Sequence, residues 1–123
     1  MTVDAARCAD TAAEAVRALN HATVFTDGGL TGPADVYDVL GSLAILAARL
    51  PQALAQLQTY LAREQTAGRV QLVDGPHTGD PAAALADVER WLTCAAGGAD
   101  TLHQALEQAH ATLTWAAHAD PKD

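Results

Sequence analysis

His103, Glu107 and His110 are the side chains in this chain best spaced for metal chemistry. The last two form Glu107-Gln-Ala-His110, a Glu-x-x-His motif of the kind helical bundles use to hold paired iron or manganese ions. On a helix, spacings of four and three place all three on one flank, where a single surface metal is geometrically possible. His118 lies too far round to be an obvious fourth ligand. A paired-metal centre needs two such motifs and two more inward glutamates from four helices. This chain has one motif and four glutamates in all, so di-iron chemistry is rejected. The expectation is no metal and no cofactor, with these residues on a solvated or interface flank. The rival reading is a small metal-binding protein or enzyme using His103, Glu107 and His110.

A second cluster sits in the loop "VDGPHTGDP", which gathers Asp74, His77, Thr78 and Asp80. A carboxylate beside an imidazole can serve acid–base catalysis. Turn chemistry accounts for the same residues: Gly75-Pro76 makes a turn and Asp80 caps the helix that follows. No nucleophile elbow, phosphate loop, dinucleotide fingerprint or zinc-protease motif is present. The glycine-rich "TDGGLTG" lacks the lysine and the preceding strand of a phosphate loop. Cys8 and Cys94 have no Cys-x-x-Cys partner, and both are expected to be buried thiols. Neither catalytic nor cofactor-binding residues are expected, and the chain reads as a non-enzyme.

The elements that carry these residues are helices. The first is expected at about 3–21, with the row Ala5, Ala9, Ala12, Val16 and Leu19. The second opens at "TGPADV", where Thr31 or Gly32 can cap and Pro33 takes the first helical position. Its apolar row is Val36, Val39, Leu43, Leu46, Leu50, Ala53, Leu57 and Tyr60, with a second row of Leu40, Ala47, Leu54 and Leu61 beside it. That phase runs unbroken through Pro51, so one kinked helix over about 33–67 is predicted, with a break at Leu50 as the alternative. The third helix, about 81–118, is capped by Asp80 and starts at Pro81. Its row is Leu85, Val88, Leu92, Ala95, Ala99, Leu102, Leu106, Ala109, Leu113 and Ala116, held through nearly five heptads. Gly97 and Gly98 lie off that row and mark a flexible point or a close approach of another backbone.

Equal lengths and matched rows predict an all-α antiparallel bundle of three helices in a single domain, 1–123, that dimerises. The short first helix packs along the hairpin in this reading and leaves half of its groove for a loop, a second copy or a partner. Trp91 and Trp115 serve as packing for the first helix or as anchors for a partner, and Tyr37 and Tyr60 share that ambiguity. The β-prone runs Thr23–Thr26 and Arg69–Val73 either plug the bundle ends or pair across a dimer.

Composition narrows the partners. Fifteen acids against seven bases give a net charge of −8, which repels phosphate backbones and anionic lipid. No nucleic acid and no membrane are expected. Half of the residues are hydrophobic but only five are aromatic, so each helix buries little area. The N-terminal stretch has no continuous apolar region of the kind a secretion signal carries. The longest apolar window, "VLGSLAILAARL", is too short to span a bilayer. A cytoplasmic location is expected.

The stretch "DVYDVLGSLAILAARLPQALAQLQTYLARE" with "DGPHTGDPAAALADV" resembles uncharacterised small helical proteins of high-GC actinobacteria, some encoded on plasmids or integrating conjugative elements. The resemblance covers about residues 31–118, rests on helical pattern and composition, and implies no catalytic residue. A comparison with the helical-hairpin substrates of type VII secretion fails: the Trp-x-Gly turn is absent, and Tyr60-x-x-x-Glu64 ends the second helix. The expected function is an accessory or regulatory protein–protein interaction module. Its apolar groove, flanked by Leu40, Leu54, Leu61 and Trp115, receives a second copy, making a homodimer, or a partner helix.

Overall fold

The computed structural model describes residues 3–24 and 28–116. Within them the chain is all-α, with three helices: α1 Ala5–Val24, α2 Pro33–Thr66 and α3 Pro81–Thr112. No strand occurs among the described residues, so the β-prone run at 69–73 is loop; Phe25 and Thr26 of the other run lie outside them.

Local chemistry sets each boundary. The Asp4 carboxylate accepts from the Ala6 amide at 3.0 Å and so ties down the start of α1. Before α2, Gly32 is the cap residue and Pro33 opens the helix. Thr31 turns its hydroxyl, at 2.7 Å, and its amide, at 2.6 Å, onto the Asp35 carboxylate. α2 ends in a Schellman motif: Gly68 has φ +75°, its amide donates to the Gln65 carbonyl, and the Arg69 amide reaches back to that of Glu64. Asp80 caps α3 as expected, accepting from the Ala83 amide at 3.1 Å.

α2 runs unbroken through Pro51, which removes only the hydrogen bond to the Ala47 carbonyl. α2 and α3 pack as an antiparallel hairpin, whereas α1 packs on neither among the described residues. That differs from the expected packing of α1 along the hairpin. A row built mainly of Ala5, Ala9 and Ala12 gains little by burial, and every residue of α1 is at least partly exposed. α3 stops six residues short of the expected end. Tyr37 lies against His110, so beyond Leu113 the third helix has run past the start of α2 and has no neighbour to pack on.

The seam between α2 and α3 is made of small residues. Ala44, Ala47, Ala84 and Ala99 are the only buried side chains among the described residues, and no large side chain is fully buried. Cys8 and Cys94 are both exposed, contrary to the expected burial. Cys8 sits on the undocked helix and Cys94 on the outer side of α3.

Candidate interaction surface

Two of the three residues singled out for metal chemistry, His103 and His110, point into the hairpin seam. The Nδ1–H of His103 donates to the Ala44 carbonyl at 2.9 Å, spanning the two helices. The His110 ring stacks on Tyr37 with centroids 3.9 Å apart and planes at 19°. Gly41 makes room for it: a β-carbon there would lie 3.0 Å from His110 Nε2. Glu107 is exposed. Among the described residues no three His, Cys, Asp or Glu side chains converge on a point that could hold a metal ion. His118 lies outside the described residues.

The loop cluster also disperses. Asp74 accepts from the Gly75 amide, the Thr78 hydroxyl donates to the Gly75 carbonyl, and Asp80 is spent on its cap. His77 instead donates from Nε2 to Asp87 at 2.7 Å, and Asp87 also meets Arg90 at 3.2 Å. These contacts pin the connecting loop to the first turns of α3. At the foot of α2, the Tyr60 hydroxyl and the Arg69 guanidinium both donate to Glu64. The Tyr60 hydrogen bond leads in holding the Glu64 carboxyl below its ordinary range, and the same bond raises Tyr60. The Thr31 hydroxyl, then its amide, lowers Asp35.

The partner-binding candidates divide. Leu40, Leu54 and Leu61 are half-buried on the face of α2 that carries Ala44 and Ala47. Leu61 lines a groove of about 190 Å³ with Leu85 and Val88 of α3. Trp115 lies beyond the end of α3 and is 92% exposed. The structure does not bring it to those leucines, because the helix expected to carry it has already ended.

The open apolar surface is carried by other residues. On α2 the row through Leu50, Leu57 and Tyr60 is turned aside from the seam, with Leu57 53% exposed. On α3 the row Trp91, Ala95, Gly98, Leu102 is likewise turned aside, with Trp91 63% and Leu102 48% exposed. Helical geometry at 3.6 residues per turn places both rows on the same side of the hairpin. Each is displaced from its own seam by roughly a quarter-turn, and in antiparallel helices these displacements coincide in direction. The opposite side carries mainly polar and small residues, among them Gln52, Thr59, Glu89 and Asp100, with Ile45, 51% exposed, toward its outer edge. The hairpin is thus a two-sided sheet of helices with one apolar side. Arg90 lies over the Trp91 ring, 5.1 Å from its centroid, at the margin of that side.

By length and composition alone, α2 is long and apolar enough to cross a membrane, which differs from the expectation drawn from its longest apolar window. Family models, curated proteins and solved structures give no match to this chain.

Proposed function

We infer that this chain is a non-catalytic protein–protein interaction module, accessory or regulatory, that acts through the open apolar side of its α2–α3 hairpin. One observation carries the reading: the only buried side chains of the hairpin are alanines, while leucines and a tryptophan stay about half exposed along one side. Monomeric soluble proteins rarely leave a contiguous apolar patch of more than a few hundred Å² facing water, and larger ones mark interaction sites. The histidines that metal chemistry would need are instead engaged with Ala44 and Tyr37, which fits a role in setting the hairpin register.

Binding of a solvatochromic dye to the untagged full chain tests this reading, with light scattering on the same samples under reducing conditions. A helical protein that either self-associates or, as a monomer, binds the dye supports it. A helical monomer that binds none has closed its apolar side by itself, and the reading falls. Stoichiometric metal in protein purified without a tag would favour the metal-binding rival.

A further inference from the structure

Resting on that reading, we propose that the partner is a second copy of this chain, docked apolar side to apolar side to make an antiparallel four-helix bundle. Three properties of the surface point to a second copy. The first is charge. The chain is acidic overall, at −8, yet the central stretch of each open row is neutral: Leu50, Leu57 and Tyr60 on α2 and Trp91, Gly98 and Leu102 on α3; the α2 row reaches an acid only at Glu64, which is paired with Arg69. Of the acids of α3, Glu89, Asp100 and Glu107 fall on other faces, and Asp87, one turn before Trp91 at the end of the open row, is met by His77 and Arg90. Two copies can therefore meet here with their unpaired like charges held away from the centre of the contact.

The second is area. Helices of 34 and 32 residues run about 50 Å at 1.5 Å per residue, and two adjacent helices are about 20 Å wide. One side of the hairpin is then roughly 1,000 Å², and two such sides buried together fall in the size class of stable protein interfaces. A single added helix would cover about half of that side.

The third is relief. Tyr37 is abreast of His110 and Ala44 of His103, so Leu50 is abreast of the Gly97–Gly98 pair and Leu57 of Trp91. A copy related by a two-fold axis parallel to the helices lays α2 of one over α3 of the other, antiparallel, with Leu50 above Gly98. A β-carbon at Gly98 would meet nothing within 4 Å in the single chain. In the pair, that space receives the leucine. Gly97 is turned away from this side and faces open solvent in both states.

The test is the solution mass by light scattering over a dilution series, in reducing buffer because both thiols are exposed, with far-UV circular dichroism on each sample. The variants are Leu57→Glu and Gly98→Leu, with Thr59→Glu and Gly97→Leu as controls placed off the apolar side. The expected result is a dimer whose dissociation constant rises at least about tenfold, or 1.4 kcal/mol, in Leu57→Glu and Gly98→Leu and is unchanged in the controls. Gly98→Leu keeps the test valid if Leu57→Glu loses its helices, because the single chain has room for the added side chain. A wild-type monomer, or a dimer indifferent to both variants, overturns the proposal. A helical monomer that binds the dye overturns self-docking but leaves the interaction reading standing. A monomer that floats with neutral phosphatidylcholine vesicles would make a membrane surface the partner and overturns both. A helical monomer that does neither overturns both.

Discussion

Gly41 offers a sharp test of how the two long helices meet. It lies in the interior of α2, where alanine is favoured over glycine by about 1 kcal/mol. On propensity alone Gly41→Ala should stabilise the protein. The added β-carbon, however, would stand 3.0 Å from His110 Nε2 and 3.3 Å from Cδ2, inside the optimal separation of about 3.5–4.0 Å. The ring must move by a few tenths of an ångström, and it is held by its stack on Tyr37 at 3.9 Å. Overpacking of this kind typically costs about 1–3 kcal/mol, so the net effect is a loss of roughly 0–2 kcal/mol. In a His110→Ala background the obstacle is gone, and the same change is expected to stabilise by about 1 kcal/mol. The difference is a coupling energy of about 1–3 kcal/mol. Urea denaturation of the four proteins at one fixed concentration measures it. A gain of about 1 kcal/mol in both backgrounds would refute the placement of His110 over Gly41, and with it the helix register.

Other features give simpler expectations. Gly97→Ala meets no neighbour and is expected to raise stability by about 1 kcal/mol; thermal denaturation checks it, and a loss would mean that another backbone lies against that position. Asp35 and Glu64 both have lowered carboxyls. Their contribution is therefore complete above the unfolded values near pH 4 and is lost as the pH falls through the lower folded ones. Thr31→Ala and Tyr60→Phe should each flatten that acid limb in a helicity titration. Tyr60 itself should ionise at higher pH than free tyrosine, and Glu64→Gln should remove the shift, read by ultraviolet absorbance. Cys8 and Cys94 are exposed, so both thiols are expected to react with a thiol reagent in native protein as fast as in urea.

The helix starts were legible because they rest on local chemistry that needs no neighbours: Pro33 after Gly32, and Asp80 before Pro81. Continuity through Pro51 was legible from the unbroken phase. The side of each helix that faces its partner was not. A strict three-four row marks a buried or buriable stripe but not what covers it, and α2 carries two such rows. In the structure the row through Leu40, Ala47, Leu54 and Leu61 meets α3, while the more regular one through Leu50 and Leu57 is left open. On α3 the seam takes Ala96, His103 and His110 in place of Ala95, Leu102 and Ala109, each one residue along. Ala44, Ala47 and Ala99 at the crossing let the backbones come close, and that preference for small residues outweighed the pull of the leucines. Thus the histidines read as a flank proved to be seam residues. The stacking of His110 had a sequence signal in Gly41, a helix-interior glycine whose reason is the ring across from it.

This division of labour between rows bears on stability. Ordering a residue costs about 1–2 kcal/mol of backbone entropy, and a hairpin whose buried side chains are four alanines has little hydrophobic gain to set against it. Full burial of a leucine contributes about 1.5–3 kcal/mol. Leu57 and Leu102 each keep about half of that in reserve, being 53% and 48% exposed. If the open side closes on a second copy, this reserve is released on assembly, so folding and association become one equilibrium. The thermal midpoint of the wild-type chain is then expected to rise with protein concentration by mass action, and Leu57→Glu should abolish that dependence. A midpoint independent of concentration, in a chain shown by scattering to be dimeric at the higher concentrations, would mean that the hairpin draws its stability from the alanine seam alone.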